Sequence, residues 1–152
     1  MAQSNKPGNR MNISSPISRL QRFHRRFMAS RLESLNLSGA MHMIIYSLNR
    51  TPGVSQDYLA INFNMDKGII ARQCKALEER NLIRREINPN DRRQYCLYLT
   101  EDGQAMVPVI DEGYAQWNAL LCRGFSEEQI TQASSLLSTM IENCINDFGD
   151  FI

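Results

Sequence analysis

This sequence predicts a mainly α-helical fold with one small β-hairpin, and three observations lead to that prediction. Apolar residues recur at helical spacing over most of the 152-residue chain. Two short runs of aliphatic and aromatic residues flank a turn near residue 90. Before that turn, a short helix, a tight turn and a second helix are predicted. Elements in this order are typical of a winged helix-turn-helix lobe.

The charges divide the sequence into a basic part and an acidic part. Residues 1–99 hold 16 Lys and Arg and 7 Asp and Glu, a net charge of +9, whereas residues 100–152 hold one basic and nine acidic residues, a net charge of −8. This indicates a surface that binds a polyanion, with two ordinarily solvated faces as the alternative. No apolar run could span a membrane, and residues 1–12 are polar, so we expect a disordered leader and a cytoplasmic protein.

Ser15 and Pro16 predict the start of the first helix, because serine is a favoured N-cap and proline a favoured first helical residue. Its apolar stripe reaches Leu35, and five arginines lie between the apolar residues. A second helix is expected to begin at Ser38. It should end at Thr51–Gly53, because proline and glycine both disfavour the continuation of a helix.

Two further helices complete the predicted helix-turn-helix. Ser55 can cap a short third helix, and Asp66 can cap a fourth that runs to about Arg80. The fourth helix has one apolar stripe, formed by Ile70, Cys74 and Leu77. Its opposite side carries Lys67, Gly68, Ala71, Arg72 and Lys75. That basic face indicates a DNA-recognition helix, and a merely solvated face is the alternative.

On duplex DNA such a helix lies in the major groove with its first residues nearest the bases. Arg72 is therefore the candidate for a base-edge or close phosphate contact, and Lys67 and Lys75 are candidates for phosphate contacts. Gly68 would allow close approach of the backbone. The alternative for Arg72 is a salt bridge within the chain, for example to Glu79.

The turn Asn88–Asp91 predicts a hairpin, because proline fixes φ and the Asn and Asp side chains bond their own backbone. Its strands are two apolar runs: Leu82–Ile87 and Tyr95–Leu99. Arg93 and Arg92 lie at the tip, from which we expect them to enter the minor groove. Phosphate would repel the carboxylate of Asp91, so we expect Asp91 to stabilise the wing by holding an arginine.

Two long helices are predicted after the hairpin. The first opens at Thr100–Gly103, contains Pro108, which should kink or break it, and ends near Gly124. The second begins at a capping box formed by Ser126 and Gln129. Their apolar stripes need a partner, because exposed apolar area costs about 25 cal/mol per Å². The simplest partner is a second copy of these helices together with the first helix, in a two-fold dimer.

The hairpin also matches a known family pattern. The run Asp91–Arg93 with Leu99, Thr100 and Gly103 resembles the D-R-R…L-T-x-x-G wing signature of MarR-type transcriptional regulators, at that family's spacing. The resemblance covers about residues 13–148. Further matching residues lie upstream and in the next strand: Leu59-Ala60, Asp66-Lys67, Arg72, Leu77-Glu78, Leu82-Ile83 and Arg85. Two positions depart from the pattern: Ala71 replaces a common threonine and Asn81 a common glycine.

The resemblance implies a homodimeric regulator, in most members a repressor, that binds double-stranded, pseudo-palindromic promoter DNA. It divides the chain into a leader (1–12), a helical dimerisation region (13–36 and 104–152) and a winged helix-turn-helix DNA-binding lobe (37–103). It implies no cofactor. Many members are released from DNA by small aromatic or phenolic effectors, which enter between the dimerisation region and the DNA-binding lobe. The residues that could line such a crevice are Phe23, His42, Tyr46 and Trp117, with ordinary core positions as the alternative.

Other functions have weaker support in the sequence. Thiol sensing is one alternative, but Cys74 falls on the buried stripe, and the thiol-sensing members of the family carry their cysteine near the first helix, where this chain has none. A winged helix that binds a partner protein is another. No nucleophile–base spacing, glycine-rich phosphate loop or metal cluster is visible, so we expect neither an enzyme nor a metal site.

Overall fold

A computed structural model of the protein describes residues 12–148, which form six α-helices and two β-strands. The helices are α1 (Ser14–Arg31), α2 (Met41–Arg50), α3 (Gln56–Phe63), α4 (Lys67–Glu79), α5 (Glu101–Leu121) and α6 (Glu127–Phe148). The strands are β1 (Ile83–Ile87) and β2 (Tyr95–Leu99), and a 3-10 helix, Glu33–Leu35, follows α1. Apart from Asn12, the predicted leader lies outside the described residues.

The elements α2, α3, α4, β1 and β2 form a winged helix-turn-helix lobe around one apolar core. The centre of this core is fully buried and combines residues from all five elements: Ile44, Ile45, Leu59, Ile70, Leu77, Ile83 and Leu97. The strands pair antiparallel, with Ile83 opposite Leu99 and Ile87 opposite Tyr95. The fold class and the hairpin predicted from the sequence are therefore confirmed.

Helices α1 and α5 pack against each other and extend the same core. Met28 and Leu32 are buried, and a Cβ added at Gly113 would lie 3.4 Å from the Met28 methyl carbon, so α5 approaches α1 closely at that glycine. Helix α6 is different, because the other described residues leave its apolar stripe largely uncovered. Leu136, Leu137 and Ile141 on α6 are each at least 50% exposed.

The helix caps predicted at Ser55, Asp66 and Ser126 are confirmed, and Thr100 caps α5 in the same way. The Ser55 hydroxyl accepts from the Tyr58 N–H, and the Asp66 carboxylate accepts from the Gly68 and Ile69 N–H groups. The Thr100 hydroxyl accepts from the Gly103 N–H at 3.1 Å. Before α6, the capping box closes in both directions: Ser126 N–H donates to the Gln129 side chain and Gln129 N–H to the Ser126 hydroxyl.

Predicted details near the first two helices are wrong. Helix α1 begins at Ser14 rather than after a Ser15 cap, and Pro16 fits because the N–H that proline lacks has no partner in a first turn. Leu35 belongs to the 3-10 helix and not to α1. Helix α2 begins at Met41 rather than Ser38, because Gly39 adopts a left-handed φ of 58° that interrupts a right-handed helix.

Of the two outcomes predicted at Pro108, a break is wrong, whereas a kink stays a prediction. Helix α5 is continuous from Glu101 to Leu121 with Pro108 inside it. Proline removes one backbone donor, and the packing of Val107 and Ile110 into the core holds the helix together around that position.

Candidate nucleic-acid interface

The turn between α3 and α4 sets the two helices of the helix-turn-helix at a fixed angle. Asn64 ends α3 in a left-handed conformation with φ 49°, which asparagine tolerates better than most residues. The Met65 N–H then donates to the Ala60 carbonyl at 2.9 Å, which closes the end of α3. Asp66 follows at once as the N-cap of α4.

Helix α4 has one buried face and one exposed basic face, as its sequence predicts. Ile70, Cys74 and Leu77 are fully buried. Lys67, Gly68, Arg72 and Lys75 are exposed, and Ala71 is half-buried between the two faces. The four predicted DNA-contact residues of this helix therefore lie on its exposed side. The half-buried Ala71, where the family commonly has threonine, offers no polar atom to a ligand.

The three cations on this face differ in their partners. Lys67 Nζ lies 3.2 Å from Asp57 Oδ1, and Lys75 Nζ lies 3.8 Å from Glu79 Oε1. Both pairs are exposed, so they contribute little energy and can open when a phosphate approaches. Arg72 forms no ion pair with any of the described residues, and Glu79 pairs with Lys75 instead.

The hairpin tip is built by side-chain bonds to its own backbone. The Asn88 side-chain oxygen accepts from the Asn90 N–H at 2.9 Å, and the Asn88 N–H donates to the Gln94 carbonyl at 3.0 Å. Asp91 Oδ1 accepts from both the backbone N–H of Arg93 at 3.0 Å and its Nε at 3.3 Å. Asp91 thus contacts Arg93, whose side chain remains 92% exposed, and Arg92 is exposed beside it.

A half-buried arginine, Arg85, connects the wing to both helices of the helix-turn-helix, and the sequence did not indicate it as a functional residue. Arg85 on β1 lies with its Nε 2.8 Å from Glu78 Oε2 of α4, in a charge contact whose N–H does not point at the oxygen. Oriented by its partners, the Gln56 amide oxygen of α3 accepts from both terminal nitrogens of Arg85, at 3.1 and 3.0 Å. Strand alternation could have indicated this, because Arg85 shares a strand face with buried Ile83.

Arg85 also forms one wall of a small cleft between the start of α3 and the wing. The cleft has a volume of about 160 Å³, and its lining includes Ser55, Gln56 and Arg93. It places the wing arginine, Arg93, next to the N-terminus of α3. Both guanidinium groups lie against a carboxylate, Arg85 against Glu78 and Arg93 against Asp91, and the Asp57 side chain also lines the cleft.

The four predicted effector residues fall into two neighbouring places. Phe23 and Trp117 line an apolar groove of about 540 Å³ between α1 and α5, where Phe23 is 54% exposed. His42 and Tyr46 on α2 instead surround Tyr114 of α5, at ring-centroid distances of 6.1 and 4.6 Å. His24 connects the two places, because its ring lies 5.2 Å from Trp117 and 6.0 Å from Tyr114.

Burial within the aromatic cluster around Tyr114 shifts the pKa values of His42 and Tyr114. Burial, and to a lesser degree the charge of His24, lowers the pKa of His42 from 6.5 to about 4. Burial, followed by the neighbouring Tyr46, raises the pKa of Tyr114 to about 12. His42 Nε2 is buried without a hydrogen-bond partner among the described residues. His42 and Tyr114 are therefore both neutral at pH 7, and His42 carries a polar atom that no described residue bonds.

Within residues 12–148 no group of three His, Cys, Asp or Glu side chains is placed to hold a metal ion. In the same part of the chain, no helix has both the length and the apolar character needed to span a membrane. Burial raises the pKa of the Cys74 thiol to about 11, which keeps it protonated and poorly nucleophilic at neutral pH.

An exposed basic helix face beside an arginine-tipped hairpin defines a winged helix-turn-helix protein, and comparison with known proteins identifies its family. A model of the MarR family matches residues 37–95. A solved structure of MarR is 32% identical in sequence, with the alignment covering 99% of this chain and 98% of that chain at a TM-score of 0.79. The chain belongs to the MarR family of transcriptional regulators.

Two further relatives carry more specific descriptions. A MarR-family regulator from Listeria monocytogenes, solved in complex with a 26mer DNA, is 25% identical, and the alignment covers 91% of this chain and 92% of that one at a TM-score of 0.86. A Thauera aromatica protein, whose name assigns it to transcriptional regulation of the hcr operon, is 30% identical over 88 residues. That match covers 58% of this chain and 53% of the relative, about half its length.

Proposed function

We propose that this protein is a sequence-specific regulator that binds a pseudo-palindromic DNA operator as a homodimer and represses transcription. The observation that carries the proposal is that one lobe exposes two cationic elements, the basic face of α4 and the tip of the wing. Arg72 on α4 forms no ion pair with described residues, and Arg93 at the wing tip is 92% exposed. The Listeria relative that was solved with DNA has the same fold.

In the proposed complex, α4 lies in the major groove and the wing in the adjacent minor groove. Arg72 would contact a base edge or a nearby phosphate, with Lys67 and Lys75 on phosphates and Gly68 allowing close approach. Arg93, with Arg92 beside it, would enter the minor groove, where the negative potential favours a guanidinium. Asp91 would serve as an internal ligand of Arg93 that fixes its direction, given the two bonds between them.

A homodimer is supported by apolar surface that one chain leaves exposed. The stripe of α6 and the groove between α1 and α5 are both apolar and both uncovered, so each can cover the other in a second copy. Residues 13–36 and 104–152 would then form the dimerisation region, and residues 37–103 the DNA-binding lobe. The two-fold axis would present two α4 helices to two half-sites.

For the effector, we propose a small aromatic or phenolic molecule that binds where α1, α2 and α5 meet. Phe23 and Trp117 offer apolar ring surface, His42 offers an unpaired ring nitrogen, and Tyr46 offers a hydroxyl. Such a molecule would displace or reorder the aromatic contacts around Tyr114. Thiol sensing has less support, because burial raises the pKa of the one cysteine on α4.

The proposal is tested by a salt titration of DNA binding. The wild-type chain selects its duplex from a randomised library, and fluorescence anisotropy then measures Kd at several salt concentrations. Arg93→Ala should weaken binding by about 5- to 150-fold, equivalent to about 1–3 kcal/mol, and should reduce the slope of log Kd against log salt by about one. Arg123→Ala, which removes the same charge from the turn between α5 and α6, is the matched control.

Equal affinity and slope for Arg93→Ala and the wild type would contradict the role of the wing. If the wild-type chain shows no salt-dependent affinity for any duplex, the proposed function is wrong, and a winged helix that binds a partner protein becomes the next hypothesis to test.

A further inference from the structure

The C-terminal end of the recognition helix α4 has a rigid backbone geometry. Asn81 adopts a left-handed φ of 56° just after the helix. The Leu82 N–H donates to the Leu77 carbonyl and the Asn81 N–H to the Glu78 carbonyl, each at 2.9 Å. These two bonds form a Schellman motif, which fixes the direction of the chain as it leaves the helix.

On one side of this helix end, Arg80 binds the segment that follows α1. Its two terminal nitrogens donate to the carbonyl oxygens of Asn36, at 2.8 Å, and Leu35, at 2.9 Å. These carbonyls lie at the end of the 3-10 helix Glu33–Leu35, where backbone acceptors have no partner within the helix and carry partial negative charge. The rigid, planar guanidinium satisfies both at once across 44 and 45 residues of sequence.

On the other side, the same helix end binds the first turn of α5. The Thr100 hydroxyl donates to the Asn81 carbonyl at 2.5 Å, and the Thr100 N–H donates to the Leu82 carbonyl at 3.1 Å. The Asn81 side-chain N–H donates to Asp102 Oδ2 at 2.9 Å. The end of α4 therefore lies between the two segments that lead into the proposed dimerisation region.

We propose that Arg80 is a positioning residue that sets the tilt of the recognition helix relative to the dimerisation helices, and thereby the half-site spacing that the dimer accepts. The C-terminal end of α4 is held on one side by Arg80 and on the other by Asn81 and Thr100. Contacts on two sides fix the orientation of the helix, whereas contacts on one side alone would let the helix rotate about them. Without the Arg80 fork, α4 keeps its bonds to α5 through Asn81 and Thr100 and stays in the folded lobe. It loses the two bonds that hold its end against the 3-10 helix Glu33–Leu35, which follows α1.

The inference rests on the proposed function, because half-site spacing has meaning only for a dimer on DNA. Changing the spacing by one base pair shifts a half-site by about 3.4 Å along the axis and rotates it by about 35°. A dimer with rigidly held recognition helices binds such shifted sites much more weakly. A dimer whose helices can tilt discriminates less between spacings.

The test compares the spacing preference of Arg80→Ala with that of the wild type. The probes are the duplex that the wild-type chain selects from a randomised library and versions of it with one base pair inserted or deleted between the half-sites. We expect the wild type to discriminate by about tenfold or more and Arg80→Ala by less than about threefold. Arg80→Lys keeps the charge and the aliphatic stem but can satisfy only one carbonyl well, so it should fall between them.

Three controls distinguish positioning from a general loss of structure. Arg123→Ala removes one exposed charge from the turn between α5 and α6, and once sedimentation has shown that the variant is dimeric it should keep the wild-type preference. Thermal unfolding and sedimentation should show Arg80→Ala and Arg80→Lys folded and dimeric under the binding conditions.

Two results would overturn the inference. One is an equal loss of affinity on all spacings, which would show that Arg80 contributes only stability, and the other is an unchanged preference in both variants. Failure of the wild-type chain to dimerise or to select any duplex is a separate result that overturns the proposed function, and the inference with it.

Discussion

Gly103, in the first turn of α5, has no space for a side chain, and the cost of adding one can be estimated. A Cβ built at this position would lie 2.1 Å from the Leu82 carbonyl oxygen and 3.3 Å from a methyl carbon of Leu99. Since real Cβ atoms stay at least 3.0 Å from other heavy atoms, Gly103→Ala would force α5 and the start of β1 apart by about 0.9 Å. That movement strains the bond between Thr100 N–H and the Leu82 carbonyl.

Overpacking of this kind costs about 1–3 kcal/mol, and the upper end applies because the obstacle is backbone. Loss of the strained hydrogen bond costs about 1 kcal/mol more, while the higher helix propensity of alanine offsets about 1 kcal/mol. We therefore expect Gly103→Ala to lower the free energy of unfolding by about 3 kcal/mol. At about 2–4 °C per kcal/mol, Tm falls by about 6–12 °C.

The assay is thermal unfolding followed by far-ultraviolet circular dichroism, at one fixed protein concentration. Gly113→Ala is the matched control because it changes another buried glycine of the same helix. Its Cβ would meet the Met28 methyl at 3.4 Å, an ordinary contact, so the variant should keep or gain up to about 1 kcal/mol. If both variants unfold at the same temperature, the explanation of Gly103 by close approach to Leu82 is wrong.

Two further predictions follow from perturbed pKa values. The His42 pKa near 4 means that the unfolded chain takes up a proton between pH 6.5 and 4 that the folded chain does not, so stability falls as pH is lowered through that window. The full shift corresponds to about 3 kcal/mol, and solvent screening of the partly exposed ring reduces this to about 1–2 kcal/mol. His42→Phe should flatten the dependence by that amount in urea titrations, and an unchanged pH profile would contradict it. The buried Cys74 thiol, with its pKa near 11, should resist iodoacetamide at pH 7.5 in the native chain and react after denaturation. Rapid native labelling of the Cys74 peptide in a mass spectrum would refute that protection.

Features that depend on neighbouring residues could be predicted from the sequence. Asp66 caps α4 and Ser126 caps α6 with groups at most three residues away, so their residue types and spacing carry the information. The buried stripe of α4 follows from helical periodicity alone. The wing signature could likewise be recognised, because the turn, strand β2 and the start of α5 follow one another directly in the sequence.

Features that depend on distant residues could not be predicted in this way. The fork of Arg80 binds carbonyls 44 and 45 residues away, and nothing in its own surroundings distinguishes it from a solvated arginine. Gly103 belongs to the family signature, yet the reason for glycine there is the Leu82 carbonyl, which only the tertiary structure brings close. The break predicted as one outcome at Pro108 does not occur, because core packing, which the local sequence does not show, keeps α5 continuous.

If a second copy covers the apolar stripe of α6, as proposed, the stability of this protein depends on its own concentration. In a dimer whose separate chains expose that stripe, each tenfold fall in chain concentration removes about 1.4 kcal/mol from the free energy that separates folded dimer from unfolded chains. Chains without a partner present apolar surface to chaperones and proteases. Cellular turnover would therefore remove unpaired chains first, and the amount of active regulator would rise more steeply than its rate of synthesis.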